Sequence, residues 1–353
     1  MDMGLSKILK QSLSRWMGGD GPHNSVAISS RVRLARNLAN YPFPGQASSS
    51  QLEEVEHKIR RWWNQGGLKS LGKTEYTSIK DISKNERRAL VDKHLASPNL
   101  ARQGHGAVLT NSEESISVMV NEEDHLRIQT LLPGLQLDEV WQLASGVDDL
   151  FDTGFDYAWS QHNGYLTCCP TNVGTGMRAS VMLHLPGLSL SGQLPIFLGT
   201  ISKVGIAVRG LYGEGSDSQG NVYQISNQVT LGHREEEIIE NLNRVTLQVI
   251  RRELDTRQQL LKQGEITLTD KIWRSYGILA NARILTSSET LEHVSRVRLG
   301  IDLGVLEELH PSILQELLVF TRPGYLQKIF GQSLGPKERD VKRAELVREL
   351  IKQ

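Results

Sequence analysis

The sequence has 353 residues, of which 39% are hydrophobic, so it can bury a sizeable core in one large or two medium domains. Lys plus Arg and Asp plus Glu number 40 each, a balance that gives no chain-wide field indicative of a nucleic acid, a membrane or an acidic substrate. The first residues lack the apolar stretch of a signal peptide, and no segment reaches the ~18 apolar residues of a membrane span. We therefore expect a cytoplasmic protein that does not span a membrane or bind nucleic acid directly.

The first part of the chain alternates strand and helix patterns. The segment AISSRVRLAR (27–36) places Ser29, Arg31 and Arg33 on one side, and this pattern predicts a half-buried strand with an arginine face. Helical patterns cover 51–63, about 136–152 and about 192–203. The other predicted strands are short runs between loops: GAVLT, SISVMVN, GYLTCC, RASVMLHL, VGIAVRG and VYQIS.

From about residue 235 the pattern becomes that of amphipathic helices almost without interruption. We predict an α+β fold, in which a largely antiparallel sheet flanked by helices occupies residues 1–263. A small all-helical domain is expected to follow over residues 264–353.

The chain contains two cysteines, Cys168 and Cys169, and they are neighbours. Neighbouring residues of a strand point to opposite faces, so a disulfide between them is improbable, and two thiolates cannot form a four-cysteine zinc site. Any role for these thiols is that of a free thiol.

An acidic segment, NEEDH, follows the strand candidate SISVMVN. If the strand continues, Glu123 falls on its polar face and Glu122 on the opposite one, which favours Glu123 for chemistry. A solvated strand end is the alternative interpretation. Downstream, CPTNVGTGMRAS combines a glycine turn with Arg178, and VRGLYGEGSDSQG places Arg209 at a strand end and Glu214 in a glycine-rich loop.

Five arginines occupy the polar faces of predicted strand ends, and they would repel one another unless they shared a polyanion. They are Arg31, Arg33, Arg127, Arg178 and Arg209. A nucleoside triphosphate supplies that charge, and planar guanidinium groups suit phosphate oxygens. The sequence has neither a GxxxxGK[ST] loop nor the HRD and DFG elements of ordinary protein kinases.

The segments SSRVRLAR, NEEDHLR, CPTNVGTGMRAS and RGLYGE, together with YQISNQVTLG, resemble the phosphagen (guanidino) kinases in sequence and in order. Those kinases carry a helical domain before the SSRVR strand, whereas here a short segment precedes it and a helical domain follows the catalytic one. That arrangement is similar to the bacterial protein arginine kinases of the McsB family. The absence of the loop that encloses a free amino acid favours a protein as the substrate.

The resemblance implies roles for individual residues. Glu123 and Glu214 would orient the substrate guanidinium and accept its proton, although Glu122 is not excluded as the base. Cys169 would contact the substrate, while Cys168 is interpreted as a core residue. ATP would be bound by the five arginines, with Mg2+ held mainly by phosphate oxygens and water, and two further nucleotide contacts are expected from Ser29 and His94. His94 could equally be a histidine on a helix surface.

The end of the chain, GPKERDVKRAE, resembles the RDxxRA phosphoarginine-binding motif of that family. On a helix, Arg339, Asp340 and Arg343 can share one face, although ordinary solvated ion pairs would look the same. The motif implies that phosphoarginine could regulate the enzyme or recruit its substrates. The family also implies a homodimer, a zinc-binding activator of the McsA type, a Clp ATPase and protease that receives marked proteins, and a heat-shock repressor as a target.

Two alternative functions remain at this point: a small-molecule guanidino kinase, and a catalytically silent adaptor that only binds nucleotide or phosphoarginine. The short N-terminal segment disfavours the first alternative. The presence of Glu123, Glu214 and all five arginines disfavours the second.

Overall fold

The structure is a computed structural model, and it describes residues 13–211, 218–307 and 309–352. An eight-stranded sheet in which every pair of neighbours is antiparallel forms its centre, in the order β2-β3-β4-β5-β1-β8-β10-β9. A separate small sheet is formed by β6 and β7. The strands are β1 (Ala27–Arg36), β2 (Thr74–Ser78), β3 (Ala107–Asn111), β4 (Ile116–Val120), β5 (Leu126–Pro133), β6 (Trp159–Ser160), β7 (Gly164–Tyr165), β8 (Met177–His184), β9 (Ile206–Gly210) and β10 (Val222–Asn227).

The α-helices flank this sheet and make up nearly all of the last third of the chain. They are α1 (Ser49–Asn64), α2 (Lys84–Asp92), α3 (Pro98–Arg102), α4 (Leu137–Asp152), α5 (Pro186–Leu190), α6 (Leu194–Ser202), α7 (Glu235–Asn281), α8 (Ser287–Asp302), α9 (Ile313–Phe320), α10 (Pro323–Phe330) and α11 (Pro336–Ile351). The predicted α+β class, with its antiparallel sheet and helical end, is confirmed.

The two faces of the central sheet differ in character. One face contributes Val32, Leu34, Ile128 and Val181 to the main hydrophobic core, where α4 and the first part of α7 cover it. Alternation along the strands sends the intervening polar side chains to the opposite face. The sheet therefore presents a polar surface on the side away from this core.

The last third of the chain has a hydrophobic core of its own, built mainly from α8, α9, α10 and α11. This core also includes Leu131 and Met182, which belong to the polar face of the sheet at its far end. The C-terminal helical region thus packs on the same face as the polar surface and next to it. Helix α7 runs without a loop from the sheet into this region, but its backbone leaves helical geometry at Gly264 (φ −159°, ψ 52°).

Several local predictions were wrong. In GYLTCC, predicted to be a strand, only Gly164 and Tyr165 form one, and both cysteines follow it in a loop, where they are half-buried. Ile28 was predicted to share a face with Val32 and Leu34, but it belongs to the C-terminal hydrophobic core. A bulge between Ala27 and Ser29 shifts the register of β1 and so changes the face on which Ile28 lies. In the ranges that the structure describes, no helix combines the length and apolar character required to cross a bilayer.

Candidate active site

The arginines that the sequence predicts to converge lie on one face of the sheet. Residues paired across antiparallel strands point to the same side. Arg33 of β1 pairs with Arg178 of β8, and Ala35, two residues further along β1, pairs with Arg127 of β5. Arg31, two residues before Arg33, points in the same direction.

The fifth arginine reaches the same face through β10. Arg209 of β9 pairs with Gln224 of β10, and the Arg31 Nη2 donates to the Gln224 Oε1 over 2.7 Å. The Nε of Arg31 also donates to the Ser180 hydroxyl of β8, at 3.3 Å. Arg209 itself is exposed at the sheet edge.

A cavity of about 530 Å3, which we call the arginine cavity, opens over this face. Its lining includes three of the five guanidinium groups, those of Arg31, Arg33 and Arg127, together with Glu122 and His94. Arg178 and Arg209 belong to the same face but lie outside the lining of this cavity. The volume falls within the range typical of small-molecule and cofactor sites.

The cationic face is electrostatically strained. Burial, together with the charges of Arg31, Arg127 and Arg178, holds the pKa of the Arg33 guanidinium well below its usual value, and Glu122 opposes this shift. Burial, Arg209 and Arg127 likewise lower the pKa of Arg178. Within the described ranges, the buried Nε atoms of Arg33 and Arg178 have no hydrogen-bond partner. A polyanion would supply both the missing acceptors and the opposing charge.

The acidic segment NEEDH is a turn between β4 and β5, so the assumption that the strand continues through Glu123 is wrong. Strand β4 ends at Val120, and Asn121 takes a left-handed conformation (φ 54°). The Asn121 N–H donates to the His125 carbonyl over 2.9 Å, which closes the turn. The positions of the two glutamates therefore follow from turn geometry and not from strand alternation.

Glu122 and Glu123 consequently differ in accessibility and bonding. Glu122 is 4% exposed, and its carboxylate accepts hydrogen bonds from Ser97 Oγ at 2.7 Å and from Arg127 Nη1 at 2.8 Å. Burial alone would raise the pKa of Glu122, but Arg127 and Ser97 lower it overall. Glu123 is exposed, and burial of part of its side chain, together with Asp124, raises its pKa. Glu122 is thus bonded to the arginine face, while the side chain of Glu123 is exposed to solvent.

The other residues of the turn hold it in place. Asp124 accepts hydrogen bonds from Asn37 Nδ2 at 2.6 Å and from the Cys168 N–H at 2.8 Å. His125 Nδ1 accepts the Leu38 N–H at 3.1 Å. These contacts join the turn to the end of β1 and to the loop that carries the two cysteines.

The cysteine loop lies close to the arginine face. The Sγ of Cys169 is 3.0 Å from Thr171 Oγ1, and Cys169 is near enough to Arg178 for the two side chains to interact electrostatically. Burial and Asp124 raise the pKa of Cys168 to about 12, so this thiol stays protonated at neutral pH. Cys168 is half-buried, which differs from the core position predicted for it.

The two further nucleotide candidates occupy different positions. His94 lines the arginine cavity from a turn after α2 with a left-handed backbone (φ 63°), so it is not a histidine on a helix surface. Burial, Arg31 and Arg322 lower the pKa of His94 to about 3, and its imidazole is therefore neutral. Ser29 is 2% exposed and pairs with Met182 beyond the cavity. Glu214 falls in 212–217, outside the described residues.

The RDxxRA segment lies on α11. Arg343 is 2% exposed and donates from Nε to the Thr321 carbonyl at 2.9 Å and from Nη1 to the Leu285 carbonyl at 2.8 Å. It also pairs with Asp340, which is partly exposed, as is Arg339. Arg343 therefore connects α11 to two other segments of the C-terminal region.

Sequence reasoning missed several residues of the cavity lining. Ser97, Asp92 and Arg322 are the main ones, and all three come from segments with no motif-like pattern. The serine before Pro98 is a recognisable helix cap, which could have marked Ser97 as ordered. Over the described part of the chain, no three His, Cys, Asp or Glu side chains cluster in a way that could hold a metal ion.

Comparison with known proteins assigns both parts of the chain. A family model for the C-terminal catalytic domain of ATP:guanido phosphotransferases matches residues 54–256, and a model for the C-terminal domain of the protein-arginine kinase McsB matches residues 265–353. Solved structures of a taurocyamine kinase from Schistosoma mansoni and of a lombricine kinase share the fold. The first has a TM-score of 0.59 at 24% identity and covers 78% of this chain and 41% of its own. The second has a TM-score of 0.58 at 23% identity and covers 74% of this chain and 77% of its own.

Full-length relatives are more similar. The protein-arginine kinase of Halothermothrix orenii is 50% identical over 98% of this chain and 99% of its own length. That of Brevibacillus brevis is 47% identical over 99% of this chain and 98% of its own. With both domain models matched and relatives of this identity aligned along nearly the whole length, the chain belongs to the protein-arginine kinase family.

Proposed function

We propose that this protein transfers the γ-phosphoryl group of ATP to arginine side chains of other proteins. The observation that carries the proposal is the arginine face, on which Arg33 and Arg178 each leave a buried Nε without an acceptor among the described residues. An anion with several oxygens would satisfy these donors and oppose the clustered positive charge, and a triphosphate is such an anion. The acidic turn next to this face supplies a carboxylate, that of Glu123, which can bind the positively charged guanidinium that accepts the phosphoryl group.

The five arginines bind the triphosphate and stabilise the negative charge of the transferring phosphoryl group. Glu122 holds Arg127 in position through their 2.8 Å contact. His94, which is neutral, lines the cavity and contacts the nucleotide. A contact from Ser29 rests on the family resemblance alone, because Ser29 is buried and lies beyond the cavity lining. Mg2+ is bound mainly by phosphate oxygens and water, since the cavity offers it few carboxylates.

Glu123 is the general base of the proposed reaction. A protonated guanidinium is a poor nucleophile, so a carboxylate must orient it and accept a proton as the N–P bond forms. The exposure of Glu123 and its raised pKa suit that role better than the engaged Glu122. By family resemblance, Glu214 is the second carboxylate of the clamp and Cys169 positions the substrate.

The chain is proposed to divide into a catalytic domain over residues 1–263 and a helical domain over residues 264–353. The departure from helical geometry at Gly264 supports this boundary. Arg339, Asp340 and Arg343 form the proposed phosphoarginine site of the second domain. The partly exposed carboxylate of Asp340 is available to the guanidinium group of phosphoarginine. The phosphate group would have to compete with the Thr321 and Leu285 carbonyls for the donors of Arg343.

The proposed cellular role follows from the family. The protein acts in the cytoplasm, where ATP is available, and marks proteins for a Clp ATPase and its protease in the stress response. A heat-shock repressor is one target, a zinc-binding protein of the McsA type is the activator, and the working form is a homodimer. Family membership favours this role over the small-molecule guanidino kinase and the silent adaptor.

The test is incubation with ATP and Mg2+ plus either a protein substrate or free arginine, followed by mass spectrometry that preserves N–P bonds. We expect phosphoarginine on the protein. Phosphate on free arginine alone would contradict the proposal.

The adjacent glutamates provide a matched pair of variants. Glu123→Gln should lower kcat by about 10²–10⁴ and leave the Kd for ATP nearly unchanged, because only the base is lost. Glu122→Gln should mainly raise the Kd for ATP, because Arg127 loses its partner. The assignment of the base is wrong if Glu123→Gln turns over normally while Glu122→Gln does not.

A further inference from the structure

One residue of the arginine cavity comes from the C-terminal helical region. Arg322, immediately before α10, lines the cavity together with Arg31 and Arg33 of β1. Its charge acts in the same space, because Arg322 and Arg31 both disfavour protonation of His94. The cavity is therefore formed by the catalytic domain and the helical region together.

The start of α10 is held against α2 by Asp92. The Oδ2 of Asp92 accepts the Tyr325 N–H at 2.9 Å, and its Oδ1 lies 3.9 Å from the Nε of Arg322. A Cβ at Gly324 would approach Arg88 Cβ to 2.5 Å and Asp92 Oδ2 to 2.6 Å, so this contact requires glycine. Arg322 thus enters the cavity on a closely docked backbone.

The residue before Arg322 is held from the other side. The Thr321 carbonyl accepts the Nε of Arg343 at 2.9 Å, and Arg343 pairs with Asp340. Any change in the Asp340–Arg343 pair therefore acts on the peptide group that immediately precedes Arg322. Arg343 is in this sense a positioning residue for Arg322.

Packing places the rest of the region on the same side of the sheet. Leu131, whose partner in the sheet register is Arg31, belongs to the C-terminal hydrophobic core. Met182, which pairs with Ser29, belongs to the same core. The helical region consequently borders the arginine face along β1, β5 and β8, and Arg322 extends from this border.

We propose that Arg322 is a sixth guanidinium of the ATP site, supplied by the helical region, so that the site is complete only when α10 is docked on α2. The inference rests on the proposed function, because it takes the arginine cavity as the site of ATP. Arg322 adds positive charge and hydrogen-bond donors to the site, and its contribution requires the fold of both parts of the chain. ATP binding and the state of the helical region are then coupled in both directions.

The test compares Arg322→Gln with Arg88→Gln in the full chain. Arg88 is the matched control, because it lies beside Gly324 and near Asp92 but does not line the arginine cavity. The Kd for MgATP is measured by calorimetry at low and high salt. We expect Arg322→Gln to weaken binding about tenfold at low salt and less at high salt, and Arg88→Gln to stay within about twofold of the wild type.

Wild-type affinity in Arg322→Gln would overturn the proposal, as would equal weakening in both variants. If Arg322→Gln does not fold, Arg322→Lys replaces it and should weaken binding severalfold, because an ammonium cannot form two parallel hydrogen bonds. Wild-type affinity in folded Arg322→Lys would then overturn the proposal. Failure of the kinase function would look different: the protein would bind MgATP normally and leave no phosphoarginine on its substrates.

Discussion

Two of the regions that bury arginine nitrogens differ in how these nitrogens are bonded. Where α7 meets α8, Arg257 and Arg298 are 2% and 1% exposed and are surrounded by acceptors. On the arginine face, Arg33 and Arg178 bury an Nε that has no acceptor in the described part of the chain. Both regions bury guanidinium nitrogens, but the first provides acceptors for them, whereas the carboxylate of Glu122 compensates the arginine face only in part.

The bonding of Arg257 shows what full compensation requires. Its Nε donates to Glu253 at 2.6 Å, one Nη donates to Asp302 and to the Ser25 carbonyl, both at 3.0 Å, and the other donates to the His184 carbonyl at 3.1 Å. A buried guanidinium whose three nitrogens all donate, as in Arg257, joins several elements of the fold. A buried donor without an acceptor in the chain is open to an acceptor from outside it, and several such donors on clustered positive charges favour an anion.

The largest expected effect comes from exchanging one arginine of each kind for methionine. Arg257→Met should lower the free energy of unfolding by about 3–5 kcal/mol, because Glu253 and Asp302 lose a buried partner. Arg33→Met, measured without nucleotide, should leave that free energy unchanged or higher, because it removes a buried charge that Glu122 compensates only in part. Urea denaturation of both variants is the measurement. Similar losses in the two variants would remove the distinction between the regions.

An intermediate case is Asp92, whose contact with Arg322 is long at 3.9 Å. Burial raises the pKa of Asp92 from 3.8 to about 6, because the neighbouring N–H groups and arginines compensate it incompletely. Because the pKa of Asp92 is higher in the folded protein, its protonation contributes to stability fully at pH values below the pKa of the unfolded chain, 3.8. This contribution is lost as the pH rises through about 6. A difference of about two pKa units corresponds to about 3 kcal/mol.

Asp92→Asn should remove this pH dependence while keeping an acceptor for the Tyr325 N–H. The free energy of unfolding of the wild type, followed by urea denaturation between about pH 4 and pH 7, should fall relative to that of the variant. Parallel pH profiles for the two proteins would mean that folding does not raise the pKa of Asp92.

The smallest effect is stabilisation of the arginine face by an anion without a nucleoside. Tripolyphosphate at a hundred times its Kd should raise the free energy of unfolding by about 2.7 kcal/mol. Arg33→Met should show much less of this gain, and sodium chloride at equal ionic strength should not reproduce it in the wild type. A gain of the same size in Arg33→Met would assign the stabilisation to another surface.

The arginine face could be predicted because strand alternation is a local property. AISSRVRLAR and MRASVML show by their own periodicity that Arg31, Arg33 and Arg178 are on polar faces. Whether those faces become one surface depends on the register of the strands. Convergence of the arginines was predicted only through their shared need for a polyanion, and the pairing of Arg33 with Arg178 was not predicted.

Other parts of the candidate site depend on contacts that no local pattern encodes. The strand was predicted to continue through Glu123, but the left-handed backbone of Asn121 begins a turn instead. The different environments of Glu122 and Glu123 therefore result from turn geometry and not from strand alternation. Ser97 and Arg322 reach the cavity from segments 25 and more residues away from the acidic turn, through the packing of helices. Packing partners of this kind follow from the whole fold and not from sequence spacing.

Helix α7 is long, and a non-helical residue interrupts it. Its 47 residues correspond to about 70 Å of helix at 1.5 Å per residue, divided into two stretches by the departure from helical geometry at Gly264, about two thirds of the way along. The segment after Gly264 measures about 25 Å, so a change of ten degrees in the angle at this glycine moves its far end by about 4 Å. A displacement of that size exceeds the length of a hydrogen bond. Small angular changes at one residue are therefore magnified into the distances on which ion pairs and hydrogen bonds depend.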